Sequence, residues 1–286
     1  MYYILLVVSI ILTVVKSSLY NSYAKFAKPD RHGIFAFNMV CYGAAVIAAM
    51  LLGPDGKVSL PTVICAFFYA ATVCALQGLS VYAMKIGPMS ASALIALYGM
   101  IIPTIAGPIF WNEPFGIMQF AGVSLILISM WLLSNGEKSE KSVNKKWISV
   151  IIVVFFLSGF AGVIEKIHQS TDGRDEKAMF LLIAYFIMFL FSFAGKIISR
   201  PKAEKLASLK KTLITGIVSG LIIGVYAFIN LTLAGKLNSM VYYPVANGGA
   251  LILTVIVSAT IFREKCSKKN IIGIIIGLTA VMMLSI

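Results

Sequence analysis

The chain has 286 residues, 59% of them hydrophobic and only 12% charged, with a formal net charge of +13. The charges fall between apolar runs close to the roughly 20 residues that a helix needs to cross the hydrocarbon core of a bilayer, which excludes a soluble globular domain and a disordered chain. The basic excess sits in short loops beside those runs, so it reads as a topology signal and gives no support to nucleic-acid binding.

Ten spans follow in chain order, all helical, since the alternating pattern of a barrel strand is absent. Span one, residues 3–26, carries Lys16 near its middle, in Thr13-Val14-Val15-Lys16-Ser17-Ser18, with Tyr20 about one turn later. Spans two (34–53) and three (60–84) are separated by Gly53-Pro54-Asp55-Gly56, and Gln77 lies in the third. Span four (89–111) holds Tyr98 and, later, Pro103; Asn112-Glu113-Pro114 ends it before span five (115–134). A polar stretch, 135–146, precedes span six (147–168), which closes on Glu165, Lys166 and His168. Spans seven (178–198) and eight (212–235) follow; the eighth has Gly216, Gly220 and Gly224 on one face and the pair Tyr226 and Asn230. Span nine (239–262) carries Tyr243, Pro244 and Asn247, and span ten (270–286) carries Gly273 and Gly277.

Residues 83–134 align without a gap onto 234–285, a constant offset of 151 positions (234 − 83), with Ala83 matching Ala234, Glu113 matching Glu264 and Gly122 matching Gly273. If each copy closes a five-helix half, the odd count turns the second half upside down in the membrane. The expected architecture is an all-α integral membrane protein of ten transmembrane helices in two inverted five-helix repeats. The first repeat is 1–134, the linker 135–146 and the second repeat 147–286.

Charges inside spans are the sharpest local signals, because each costs about 2.5–3.5 kcal/mol at the bilayer centre on insertion scales. Lys16 reads either as a cavity cation that attracts a carboxylate or phosphate, or as one partner of an ion pair with Glu165. Glu165 reads either as a proton-coupling carboxylate or as part of an interfacial cluster; Lys166 and His168 read as facing headgroups. A single Glu-x-x-His holds no binuclear metal site, and no cofactor or metal is implied. Tyr20, Gln77, Tyr98, Tyr226, Asn230, Tyr243 and Asn247 supply the aromatic walls and few polar groups of a small-solute pocket. The pairs Tyr226/Asn230 and Tyr243/Asn247 each share a helix face at i and i+4. Pro103 and Pro244 are gating candidates, since spans four and nine run oppositely and both potential kinks then lie toward one membrane face. The small-residue face of span eight reads as internal packing, whereas that of span ten serves internal packing or a homodimer. Lysines and arginines concentrate in the odd-numbered loops, which places those loops in the cytoplasm and both termini outside.

The two helix-pair endings carry a family resemblance. Pro103 through Trp111-Asn112-Glu113 is followed by Gly122, and Pro244 through Phe262-Arg263-Glu264 by Gly273. With them the whole chain resembles the drug/metabolite transporter superfamily, specifically its EamA-like ten-helix branch. The resemblance implies a secondary transporter with a central cavity lined mainly by spans one, three, four, six, eight and nine. It also implies both termini in the cytoplasm, opposite to the charge bias. The superfamily's four-helix relatives bind cationic drugs through a glutamate in the first helix; lysine in that span here argues against a cationic-drug antiporter.

No nucleophile motif, acidic pair or HExxH accompanies the spans, so an enzyme is not expected. The expectation is a plasma-membrane secondary active transporter for a small organic metabolite (an amino acid, other carboxylate or nucleoside-like solute), working by alternating access, with proton coupling through Glu165 as one route. The alternative is a lipid or lipid-precursor flippase of the same fold. Expected partners are the small-molecule substrate and the lipid bilayer, not nucleic acid, with the chain a monomer or a homodimer through span ten.

Overall fold

In hydrocarbon an apolar run satisfies its backbone polar groups internally only as a helix or a closed barrel. The computed structural model describes residues 2–27, 31–54, 56–87, 89–134, 144–199, 209–260 and 268–284, and the regular elements among them are helical. They are α1 (Tyr2–Ala27), α2 (Arg31–Leu51), α3 (Leu60–Ile86), α4 (Met89–Tyr98), α5 (Ile101–Trp111), α6 (Ile117–Ser134), α7 (Lys145–Gln169), α8 (Lys177–Ile198), α9 (Leu209–Lys236), α10 (Ser239–Thr260) and α11 (Lys268–Leu284). A 3₁₀ turn, Asp172–Asp175, joins α7 to α8. Among the described residues, eight stretches are long and apolar enough to cross a membrane, and α6 and α11 hold two shorter apolar helices. The chain is a multi-pass helical membrane protein. Most of the linker (135–143) and the second-copy ending with Phe262, Arg263 and Glu264 lie outside the described residues.

Span four differs from its sequence reading: it is two helices, α4 and α5, broken at Gly99 and Met100. The cause lies one turn further on. Pro103 has no N–H to give to the carbonyl of Gly99, and its ring crowds that carbonyl, so the helix opens there. The amides of Gly99, Met100 and Ile102 turn back three residues instead, to Ala96, Leu97 and Gly99 at 3.0–3.2 Å. The carbonyl of Ala96 accepts a second bond, from the Ser158 hydroxyl of α7 at 2.7 Å. α7 can come that close only because residue 99 is glycine; a Cβ there would lie 2.8 Å from the Phe155 carbonyl oxygen. Pro244 is not equivalent. Its i−4 carbonyl belongs to Met240 in the first turn of α10, and α10 continues unbroken.

Asparagines start two of the helices. The Asn144 side chain accepts from the amide of Trp147 at 2.8 Å, and that of Asn238 from the amide of Met240 at 2.7 Å, each satisfying a first-turn donor that the helix leaves orphaned.

The chain forms two compact units. One comprises Met1–Val14, Ala75–Lys166 and Lys236–Ile286; the other comprises Val15–Cys74 and Ile167–Gly235. In the first, α6 and α11 pack tightly, and α10 packs on α5, α6 and α11. Gly122 faces Leu284 and Gly273 faces Leu133, so the contacts exchange partners at the same offset of 151 that relates the sequence copies. The two numbers in each pair sum to the same value, as two antiparallel helices require. Gly273 and Gly277 are turned toward α6 and α10, where the Ser129 hydroxyl donates to the Gly273 carbonyl at 2.7 Å. In the second unit α2 packs along α8. The glycine face of α9 lies on α2: Gly216 meets Val40, Gly220 the carbonyl of Cys41, and Gly224 Ala48. This is the internal packing expected of that face, because small residues let backbones approach closely.

Candidate functional site

In the second unit, the Lys16 ammonium stands over the ring of Tyr226, 4.4 Å from its centroid. The α-helical segments that fall within that unit contain no aspartate or glutamate; Glu165 of α7 lies two residues before the unit's boundary. A cation over a tyrosine face gains about 0.5–2 kcal/mol, which offsets only part of the cost of placing it at membrane depth. One turn along α1, Tyr20 meets the edge of Phe37 at 5.3 Å, and Phe37 stacks on Tyr23 at 3.8 Å. Asn230, one turn beyond Tyr226, is buried. Four of the residues read from the sequence thus fall in this unit, and two of them touch.

The others belong to the first unit. There the Tyr243 hydroxyl of α10 donates to the Gly162 carbonyl of α7 at 2.7 Å. A Cβ at Gly162 would lie 3.0 Å from both Tyr243 and Pro103, so α5, α7 and α10 converge on this glycine. Glu165 stands on α7 three residues after Gly162 and is half-buried. Asn247 donates to the Tyr243 carbonyl at 2.9 Å, and the Tyr98 hydroxyl donates to the Leu127 carbonyl at 2.8 Å; both polar groups are engaged with backbone. Gln77 is half-buried on α3.

Lys166 and His168 do not face headgroups. Lys166 is 7% exposed and His168 fully buried, because protein covers the sides of α7 on which they stand. The Lys166 ammonium pairs with the Glu113 carboxylate. Asn112 builds this contact: it ends α5 in the left-handed conformation (φ 50°), which asparagine tolerates, and turns Glu113 back onto α5. The second Glu113 oxygen accepts the Ser239 amide of α10 at 2.7 Å. Gly107 leaves room for both, since a Cβ there would collide with Glu113 and Ser239.

His168 anchors a second network, in the other unit. The Gln169 amide nitrogen donates to the Arg174 carbonyl at 3.2 Å, which fixes the amide's orientation, and the same nitrogen meets His168 Nδ1 at 3.0 Å. Nδ1 is therefore the acceptor, and Nε2–H points to the Thr62 hydroxyl at 3.2 Å. Thr62 contacts the Ser59 hydroxyl, which donates to Glu176 at 2.9 Å. The Ser59 amide also donates to Glu176, at 2.9 Å. That amide, and then Thr62, hold the Glu176 carboxyl below its ordinary range. The network closes the α7–α8 turn onto the start of α3. Among the described residues, no three or more His, Cys, Asp or Glu side chains converge on a metal position.

Sequence reading missed Glu113 with Ser239, and Ser59 with Thr62 and Glu176. Glu113 did carry a signal, as the terminal acid of the repeated ending; the partners lie too far along the chain to be paired by spacing.

No family model matches the chain. An uncharacterized protein of Haemophilus influenzae is 24% identical over 194 residues, 65% of this chain and 62% of that protein, so the match spans less than two thirds of the relative. A protein of known crystal structure superposes over 99% of this chain and 95% of its own with a TM-score of 0.78 at 12% identity, a likeness in fold alone.

Proposed function

We propose that the chain is a secondary active transporter of the EamA-like branch of the drug/metabolite transporter superfamily. It moves a small organic metabolite across the plasma membrane by alternating access, with ten spans in two inverted repeats and both termini outside. The observation that carries the reading is Lys16: a cation inside a span, held by an aromatic face, in a unit whose own α-helical segments hold no carboxylate. A cargo carboxylate or other anion supplies the missing countercharge, Tyr226 and Tyr20 pack its apolar part, and Asn230 adds a hydrogen bond. Amino acids, other carboxylates and anionic nucleoside-like solutes fit that chemistry; cationic drugs do not. Glu165, a carboxylate within the span of α7, is assigned proton coupling. The reciprocal packing of Gly122 on Leu284 and Gly273 on Leu133 supports the inverted repeat, since a two-fold axis between the halves exchanges such contacts.

Binding is tested by thermal-shift screening of purified protein against a metabolite panel. The reading expects stabilisation by carboxylates, reduced in K16A. Stabilisation confined to organic cations, or undiminished in K16A for every solute that binds, would overturn it.

A further inference from the structure

Glu113, Lys166 and Ser239 belong to the first unit and are not among the residues assigned to cargo, and two donors hold one carboxylate there. The Lys166 ammonium holds one Glu113 oxygen and lies 3.5 Å from the Leu237 carbonyl. The Ser239 amide, at the positive start of the 22-residue α10, holds the other oxygen at 2.7 Å. The Ser239 hydroxyl is fully buried and, among the described residues, has no hydrogen-bond partner. A buried hydroxyl left unpaired is costly, so its polar capacity points to a ligand atom. Glu113 and the hydroxyl both crowd the position that a Cβ on Gly107 would take, which places them beside one another.

The sequence repeat is asymmetric at this position. Glu113 has a counterpart, Glu264, but at the same offset Ser239 corresponds to Pro88, which has neither an N–H nor a hydroxyl. The Ser239 amide and hydroxyl therefore have no equivalent at the matching sequence position.

We propose that Lys166, the Ser239 amide and the Ser239 hydroxyl form an oxyanion site, whose first two donors the tethered carboxylate of Glu113 takes here and which opens to a free small monocarboxylate once Glu113 is withdrawn. Assigning that carboxylate to a cargo rests on the carrier reading; the binding itself does not. As a tethered occupant Glu113 competes with any incoming carboxylate, so wild-type protein keeps the site closed to weak ligands.

The test uses E113A with formate and acetate as probes and chloride at equal ionic strength as control. E113A is expected to show a saturable rise in melting temperature with formate, half-maximal at a concentration roughly tenfold below that of any chloride effect, as a charge-assisted carboxylate contact warrants. Wild type is expected to show none, E113A/K166M none, and E113A/K16M the same response as E113A. That last arm separates this site from Lys16, so its failure and that of the carrier reading are distinguishable. Equal responses to formate and chloride, or a response that survives K166M, would overturn the proposal. Against a folding failure, recovery of monodisperse E113A is compared after extraction in formate and in chloride. Better recovery in formate supports the site, and no difference overturns it.

Discussion

Replacing Lys16 with methionine separates the two meanings of a lysine inside a span. The charge costs about 2.5–3.5 kcal/mol at membrane depth, and the Tyr226 ring, 4.4 Å away, returns about 0.5–2 kcal/mol. The balance, roughly 0.5–3 kcal/mol, is what the proposed cargo anion would have to offset. K16M keeps the length and packing of the stem, so it should be more stable than wild type by about that balance. Y226L should cost about 0.5–2 kcal/mol in wild type beyond its lost packing, and this extra cost should vanish in the K16M background. Unfolding of the four proteins in mixed micelles, by denaturant titration, completes the cycle. If K16M is instead destabilised by about 3–5 kcal/mol, Lys16 is a partner in a buried ion pair and the anion-binding argument fails.

Four other outcomes follow from the packing and the networks. G220A should be badly tolerated, because its Cβ would press on the Cys41 backbone carbonyl, whereas G122A meets the movable end of Leu284. About 3 kcal/mol and about 1 kcal/mol are expected in melts, and the reverse order would contradict the helix contacts. H168A should cost about 1–3 kcal/mol beyond its cavity by stranding Thr62 and Gln169, whereas H168Q, which keeps a donor and an acceptor, should recover part of it. Glu176 has a folded pKa below its unfolded one, so its stabilisation is present above the unfolded carboxylate range of about pH 4–4.5 and is lost as pH falls through the folded value. The stability gap between wild type and E176Q should therefore be full at neutral pH and shrink in acid; a gap constant with pH would refute the assignment. A cysteine placed at Ser139 should react with an impermeant maleimide only after the membrane is opened, and labelling of intact cells would reverse the orientation.

The spans were readable because hydrocarbon permits few backbone solutions, and Lys16 because a lysine in an apolar run has no cheap explanation. Pro103 likewise announced its break, although one turn earlier than its own position, since the ring displaces the carbonyl four residues back. The surroundings of α7 were not readable. Periodicity says which residues share a face with Glu165, but not which helix covers that face, and so the pattern alone points Lys166 and His168 to headgroups although protein buries both. Their partners, Glu113 and Thr62, are 53 and 106 residues away, beyond any local rule. Tyr98 and Asn247 show a related limit: the polar group was visible, whereas its use on a backbone carbonyl depended on packing.

The central claim, that the chain carries an organic anion held at Lys16, is tested most directly by uptake into proteoliposomes. The solutes would be those carboxylates that stabilise the protein, with wild type and K16M reconstituted at equal density and measured with and without a pH gradient. The account predicts saturable uptake by wild type and at least a tenfold loss in K16M, the order expected when a charge-assisted contact to cargo is removed. Equal saturable uptake by both proteins would contradict it.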